Sequence, residues 1–226
     1  MLYLSKFVVM KFADLDLSQE YSYADYLKWT FKERLEIIKG KIFKMSPAAS
    51  PPHQRLSLAI CRELAIFLKG RPCRVYAAPF DVRLPRLSKK YDKIDTVVQP
   101  DLCVICDPGM VDRRGCVAAP DIVVEIVSPS SRHRDLTHKF QVYEEAGVKE
   151  YWVFMPNEKV CLVHKHNYGG HFFTCWPLSA GEILETPILP GFELDLGEAF
   201  REMGDAGEGW TENRECPDPD EIFQPM

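Results

Sequence analysis

The alternation of apolar and polar positions along the chain predicts helices and short strands in turn. Over residues 53–68, apolar positions recur every three or four residues after two prolines, which predicts an amphipathic helix. A second helix is predicted over 136–146, with Asp135 as its N-cap and Gly147 just after its end. Shorter helices are predicted over 22–31 and 196–200.

Strand-like runs lie between these helices. Runs rich in β-branched and aromatic residues predict buried strands, and they cover 75–84, 97–106, 122–127 and 151–155. Two hairpins are predicted, one around Lys39-Gly40-Lys41 and one around the Asn-Tyr-Gly-Gly turn at 167–170. The resulting order is hairpin, helix, three strands, helix, strand and hairpin. It predicts a mixed sheet with helices on its faces, an α/β (α+β) fold rather than a doubly wound one.

Composition divides the chain into a nearly neutral body and an acidic tail. With 226 residues, 46% of them hydrophobic and 27% charged, the chain fits one globular domain, predicted to be 1–200. Residues 201–226 contain two basic and eight acidic residues with several Gly and Pro, which predicts a mostly disordered tail. The formal charge of the whole chain is −5, so the body carries +1 and the tail −6.

The N-terminus and the cysteines indicate the compartment. Lys6 and Lys11 flank the short apolar start of the chain, and no cleavage site for export follows. Eight cysteines in a chain without an export signal predict buried free thiols in a reducing environment. We therefore expect a cytoplasmic protein without a membrane partner.

Two carboxylates interrupt the apolar runs. Asp101 lies within 97–106 and Glu125 within 122–127, and a buried carboxylate without a partner is strongly unfavourable. If the two runs are antiparallel neighbours with Cys106 opposite Pro120, Asp101 lies directly opposite Glu125 on one face of the sheet. Adjacent carboxylates repel each other, so this register predicts a divalent cation with oxygen ligands between them, Mg or Mn.

Two other groups compete for a chemical role. Asp121 also follows a proline, but it lies four strand residues from Glu125, about 13 Å at 3.3 Å per residue, too far to share an ion. Cys103 and Cys106 have the spacing of half a zinc site. Residues three apart in a strand point to opposite faces, and no second pair of this kind exists, so core thiols are the better interpretation.

Five short motifs follow one another in the chain: LEIIKGKI at 35–42, APFDVRL at 78–84, VQPD at 98–101, APDIVVEIVSPS at 119–130 and AGVKEYW at 146–152. This ordered set resembles the PD-(D/E)XK nuclease superfamily and, more narrowly, the Uma-type family of proposed restriction endonucleases. The resemblance covers roughly residues 21–200. It implies a restriction-endonuclease-like core with the order helix-strand-strand-strand-helix-strand, and metal-dependent hydrolysis of phosphodiester bonds.

The resemblance also implies roles for individual residues. Asp101 and Glu125 are expected to be catalytic and to hold the metal, with the backbone carbonyl of Ile126 as a further ligand. Glu36 is expected to be an additional acidic ligand, and an exposed strand charge is the alternative. His53 is expected to face the site in a supporting role, although a capping or surface histidine is equally compatible with its position.

One position departs from the superfamily pattern. That pattern has a lysine two residues after the glutamate, where this chain has Val127. A cation near the scissile phosphate stabilises developing charge, so its loss needs a replacement. The resemblance points to Lys139, on the helix that follows, with Tyr143 one turn later. The alternative for Lys139 is a solvated helix charge.

Basic clusters in predicted loops indicate where nucleic acid would bind. Lys89 and Lys90 lie in one such loop, and Arg132 and Arg134 follow Glu125 closely. The leading hypothesis is a hydrolase, a metal-dependent endonuclease acting on DNA. We expect it to be a homodimer, because two sites cut both strands most easily. The second hypothesis is a non-catalytic module that keeps the fold and binds nucleic acid or a protein. Paired carboxylates in apolar strands favour the enzyme.

Overall fold

The computed structural model describes residues 11–45, 49–85 and 94–204. Its helices are α1 (Tyr23–Tyr26), α2 (Pro51–Leu68), α3 (Phe140–Ala146) and α4 (Leu196–Met203), and a wide π-helical turn, Arg134–Lys139, leads into α3. Its strands are β1 (Leu35–Ile38), β2 (Lys41–Lys44), β3 (Arg74–Ala77), β4 (Val82–Arg83), β5 (Val97–Val98), β6 (Leu102–Ile105), β7 (Val111–Asp112), β8 (Gly115–Cys116), β9 (Ile122–Ile126), β10 (Glu150–Met155), β11 (Val160–His166), β12 (Phe172–Thr174), β13 (Leu178–Ser179), β14 (Ile183–Glu185) and β15 (Glu193–Asp195).

Two mixed sheets carry the fold. The larger has the strand order β12-β11-β10-β9-β6-β3, with β13 also paired to β11, and the smaller has the order β2-β1-β5-β4-β8-β7. In the larger sheet β9 and β10 are parallel and are joined through α3, whereas β6 pairs with β9 in antiparallel orientation. The order α2, β3, β6, β9, α3, β10 is the predicted helix-strand-strand-strand-helix-strand core, so the α/β prediction is confirmed.

The two faces of the larger sheet are covered differently. Helices α2 and α4 cover one face, where Leu56, Ile60 and Phe200 pack against Val124 and Phe154. The smaller sheet and α3 cover the other face. Their apolar residues form a second core with apolar residues of the larger sheet. Asp101 and Glu125 each lie two residues from a member of this second core, Cys103 and Val123, and residues two apart in a strand share a face. The two carboxylates therefore face the space between the larger sheet, the smaller sheet and α3.

Both predicted hairpins are present, and the long helix forms as predicted from Pro51 to Leu68. The turn between β1 and β2 has positive φ angles at Lys39 and Gly40, 51° and 84°, as a two-residue hairpin turn requires. The first predicted helix is shorter than expected and ends at Tyr26 rather than Phe31.

Two strand predictions were wrong in extent. The run 75–84 divides into β3 and β4, and 97–106 divides into β5 and β6, with each pair shared between the two sheets. Pro79 and Pro100 lie at the breaks. A proline has no N–H to donate to a strand ladder, so the chain changes sheet at these positions.

The cysteine and tail predictions have different outcomes. Cys73 and Cys106 form a disulfide, so the prediction of free thiols is wrong for this pair and the inference of a reducing environment loses support. Within the described ranges the remaining cysteines are free. The helix at the end of the domain reaches Met203 rather than residue 200. Residues 205–226, most of the predicted tail, lie outside the described part of the chain. No helix in that described part is long and apolar enough to cross a membrane.

Candidate active site

The register of β6 and β9 brings the two predicted carboxylates together. Leu102 pairs with Val124 and Cys103 with Val123, and the same register sets Asp101 opposite Glu125, as predicted. Asp101 lies just before β6, and its Oδ2 accepts a hydrogen bond from the backbone N–H of Ile126 at 2.7 Å. This bond fixes the Asp101 carboxylate against the end of the strand that carries Glu125.

Glu125 is buried and holds two donors on one oxygen. Its Oε1 accepts hydrogen bonds from Lys139 Nζ at 2.7 Å and from the Tyr143 hydroxyl at 2.8 Å. Burial raises the pKa of Glu125 well above its ordinary value; the ammonium of Lys139 opposes this rise, and neighbouring carboxylates add to it. Burial also raises the pKa of Tyr143, so its hydroxyl keeps the proton that it donates to Glu125.

Lys139 is a buried cation surrounded by carboxylates. Only 1% of the residue is exposed, so a solvated helix charge is the wrong interpretation. Besides Glu125, its Nζ lies 2.8 Å from Glu36 Oε1 and 3.7 Å from Asp135 Oδ1. Burial alone would lower the pKa of Lys139, but the three carboxylates outweigh burial and raise it. Lys139 therefore remains protonated.

Glu36 is fully buried on β1, so the alternative of an exposed strand charge is also wrong. Its Oε1 accepts a hydrogen bond from the backbone N–H of Gln99 at 2.9 Å and contacts Lys139. Its Oε2 lies 3.3 Å from Arg134 Nε. Through the bond to Gln99, the Glu36 carboxylate connects the N-terminal hairpin to the segment just before Asp101.

His53 lies on the first turn of α2 and faces the carboxylates. Its Nε2 is 3.3 Å from Asp101 Oδ2, and its Nδ1 is buried without a hydrogen-bond partner among the described residues. Burial lowers the pKa of His53, but the hydrogen bond to Asp101 and the negative charge around it give a net rise. The imidazole is within reach of Asp101, as predicted, and a surface position is excluded.

Asp135 was not predicted as a site residue. The sequence suggested an N-cap for it, but Asp135 lies inside the π-helical turn and is 2% exposed. Its Oδ1 lies 3.7 Å from both Arg134 Nε and Lys139 Nζ. The spacing of four residues between Asp135 and Lys139 was the available clue, because residues four apart share one face of a helix.

The predicted basic residues have different environments. Arg134 is mostly buried, and its guanidinium contacts Glu36, Asp135 and the backbone carbonyl of Lys44. Arg132 is exposed and pairs with Glu158 at 2.7 Å. Lys89 and Lys90 lie outside the described residues. Arg134 is thus the basic residue that the structure joins to the candidate site.

The remaining candidates have structural partners. Asp121 accepts a hydrogen bond from the backbone N–H of Cys106 at 2.7 Å and pairs with Lys149 at 2.5 Å. Cys106 is bonded to Cys73, and Cys103 is buried in the core. These contacts account for Asp121 as a strand-entry residue and leave no zinc pair at Cys103 and Cys106.

The charges of the site fit a divalent cation. Its carboxylates carry four formal negative charges and its two cationic side chains two positive ones, which leaves −2; the six residues are Glu36, Asp101, Glu125, Asp135, Arg134 and Lys139. Carboxylate and carbonyl oxygens are the ligands that Mg and Mn prefer. No cluster of three or more His, Cys, Asp or Glu side chains suited to a metal occurs between residues 11 and 204 where the structure is described. The candidate ligands are the carboxylates of Asp101 and Glu125 and the backbone carbonyl of Ile126.

Comparisons with known proteins agree with this architecture. A family model described as "Uma2: Putative restriction endonuclease" matches residues 23–197. The "Uncharacterized protein slr1290" of Synechocystis sp. is 25% identical over 149 residues, which are 64% of this chain and 74% of that protein. The crystal structure of "a putative nuclease belonging to DUF820" from Anabaena variabilis is similar in fold, with a TM-score of 0.65 and 17% identity over 81% of this chain and 99% of the other. Because the family model matches more than half of the chain, the chain belongs to the Uma2 family.

Proposed function

We propose that this protein is a metal-dependent endonuclease that hydrolyses phosphodiester bonds in DNA. The observation that carries the proposal is the pair Asp101 and Glu125, directly opposite each other, with the ammonium of Lys139 hydrogen-bonded to Glu125. Two carboxylates beside a permanently charged lysine are the groups that phosphodiester hydrolysis needs near a phosphate. The description of the Uma2 family, "Putative restriction endonuclease", supports the same reaction.

Asp101, Glu125 and the backbone carbonyl of Ile126 would hold one or two Mg or Mn ions. When bound, such an ion lowers the pKa of a coordinated water and offsets negative charge on the phosphate. The formal charge of −2 around the site is the feature of this chain that favours a divalent cation. Asp101 retains 21% exposure of its side chain, so this carboxylate can be reached from solvent.

The other residues prepare these groups. Lys139, held by Glu125 and Glu36, would direct a positive charge at the attacking water and the phosphate. Tyr143 would orient the Glu125 carboxylate through its hydroxyl. In this arrangement Glu36 has the role of holding Lys139 rather than of binding metal, because cationic or N–H groups lie at both of its oxygens. Its Oε1 contacts Lys139 and the Gln99 N–H, and its Oε2 lies 3.3 Å from Arg134 Nε.

Arg134 and His53 lie at the edge of the site. Arg134 keeps 16% of its side chain exposed, so its guanidinium can contact a phosphate of the bound strand. His53 would keep Asp101 in place through the contact at 3.3 Å. We propose that the enzyme acts as a homodimer, since cleavage of both DNA strands needs two sites of this kind.

The test is calorimetric titration of Mn, with plasmid nicking followed in parallel. Asp101→Asn and Glu125→Gln should each abolish Mn binding and nicking while the far-UV circular dichroism is unchanged. Asp121→Asn is the matched control, because Asp121 also follows a proline and is buried, but its partners are Cys106 and Lys149. That variant should bind Mn and nick DNA like the wild type.

Two results would overturn the proposal. Nicking that persists in EDTA would show that no divalent cation is needed. Absence of both Mn binding and nicking in the wild type would instead favour a module that binds nucleic acid or protein without catalysis.

A further inference from the structure

Asp135 is a buried carboxylate to which the proposed mechanism assigns no role. It is 2% exposed, and its Oδ1 makes no hydrogen bond within the described part of the chain. That oxygen lies 3.7 Å from Lys139 Nζ, beyond hydrogen-bond distance but close enough for strong electrostatic attraction in a buried site. A buried charge of this kind requires an explanation, because burial alone is unfavourable.

The backbone around Asp135 is held in an unusual shape. Residues 134–139 form a π-helical turn, which is wider than an α-helical one and is frequent at functional sites. The hydroxyl of Tyr151, a fully buried side chain of β10, donates a hydrogen bond to the Asp135 carbonyl at 3.1 Å. The backbone N–H of Asp135 donates a hydrogen bond to the Ser131 carbonyl at 2.9 Å. Hydrogen bonds therefore hold both the N–H and the carbonyl of the Asp135 backbone in place.

We infer that Asp135 is a positioning residue for Lys139, and this inference rests on the proposed function. Its negative charge attracts the ammonium and keeps it among the carboxylates rather than among the apolar side chains of the second core. Asp135 and Lys139 come from the same turn, so the wide turn brings the cation and its counter-charge into the site together.

The distance of 3.7 Å between Asp135 Oδ1 and Lys139 Nζ is consistent with this positioning role. An ammonium has three protons, and Lys139 has short contacts to two oxygens, at 2.7 Å on Glu125 and 2.8 Å on Glu36. At 3.7 Å, Asp135 attracts the charge without taking the third proton in a short hydrogen bond. That proton remains available for a phosphate oxygen or for the attacking water.

A double-mutant cycle in Mn-dependent nicking tests the inference. Asp135→Asn keeps the shape of the side chain and removes its charge, and it should lower kcat about tenfold, equivalent to ~1.4 kcal/mol of barrier, without changing KM. Mn affinity by calorimetry should not fall. In the Lys139→Met background, Asp135→Asn should cause no further loss, because its effect passes through the lysine. Asp25→Asn is the control and should leave kcat unchanged, because the ion-pair partner of Asp25 is the exposed Lys28.

A second variant tests the inference in case Asp135→Asn does not fold. Asp135→Glu keeps the negative charge but moves it by one methylene group, and should lower kcat by a smaller factor than Asp135→Asn at unchanged KM. Loss of Mn binding in Asp135→Asn would overturn the inference, because it would make Asp135 a metal ligand. An equal loss of kcat in both the wild-type and the Lys139→Met backgrounds would also overturn it.

An NMR measurement separates this inference from the proposed function. In protein labelled with 15N-lysine, the buried ammonium of Lys139 should give a signal that is absent in Lys139→Met and shifted in Asp135→Asn. If the wild type shows no Mn-dependent nicking, the proposed function fails, and this shift still reports whether Asp135 positions the ammonium. An unchanged signal in Asp135→Asn would overturn the positioning role.

Discussion

Replacement of Lys139 by methionine should strongly destabilise the protein. Lys139 is the cation shared by Glu125, Glu36 and Asp135, and all four residues are at least 97% buried. Methionine fills a similar volume, so the main effect is the loss of positive charge. Removal of one partner from a buried ion pair costs about 3–5 kcal/mol because the other charge remains buried without compensation. The free energy of unfolding should fall by about that amount.

Urea unfolding followed by tryptophan fluorescence measures this loss. With a urea slope of about 2–3 kcal/mol/M, the midpoint should fall by roughly 1–2.5 M. Lys28→Met is the control, because Lys28 is exposed and pairs with Asp25 at 2.9 Å, and it should change the free energy by less than about 0.5 kcal/mol. The double variant Lys139→Met/Glu125→Gln should recover part of the loss, because it also removes one of the uncompensated carboxylates.

The outcome can refute the electrostatic reasoning directly. If Lys139→Met changes the free energy of unfolding by less than about 1 kcal/mol, the carboxylates around it are not ionised or not desolvated, contrary to the argument. If the double variant is less stable than Lys139→Met alone, the loss comes from packing rather than from charge.

Two further predictions concern stability away from the site. Gly115→Ala should destabilise by more than about 3 kcal/mol in urea unfolding, because Gly115 has φ 114° and a Cβ there would overlap the backbone carbonyl of Asp81. Gly181→Ala, with φ 102° but open space around it, should cost only about 1–2 kcal/mol, and equal losses would contradict the steric argument. Burial lowers the pKa of His164 to about 4 from 6.5, so the unfolded state takes up the proton first and stability should fall as the pH drops from 6.5 to 4. The loss should reach roughly 3 kcal/mol and should be reduced in His164→Gln but not in His171→Gln, where the side chain is exposed.

The register of the carboxylates could be predicted because it depends on local patterns. Asp101 and Glu125 each interrupt an apolar run, and alternation along a strand fixes which residues share a face. A shift by one residue would move Glu125 to the face covered by α2 and α4, against the apolar core that contains Val124 and Phe154. Alternation therefore excludes shifts by one residue. The choice among the remaining registers was an assumption, and the pairing of Leu102 with Val124 confirms it.

The strand breaks and the role of Asp135 could not be predicted in the same way. Pro79 and Pro100 were visible in the sequence, but the choice between an edge strand and a change of sheet depends on pairing with distant segments. Asp135 has the residue type and position of an N-cap, and local rules favour that role. Its burial is decided by contacts with Tyr151 and Arg134 that arise only in the folded chain.

Lys139 supplies from a helix the cation that the superfamily pattern places on the strand at position 127. Glu125 and Val127 are two residues apart on β9 and its extension, so their side chains point to the same face. Val127 packs in the apolar core with Val142 and Val148, where an ammonium would have no polar partner. Lys139 instead reaches Glu125 from the neighbouring helix at 2.7 Å, where Glu36 also contacts it. An electrostatic role depends on the position of the charge in space rather than in the sequence, so a helix can supply it once the carboxylates that stabilise the cation are present.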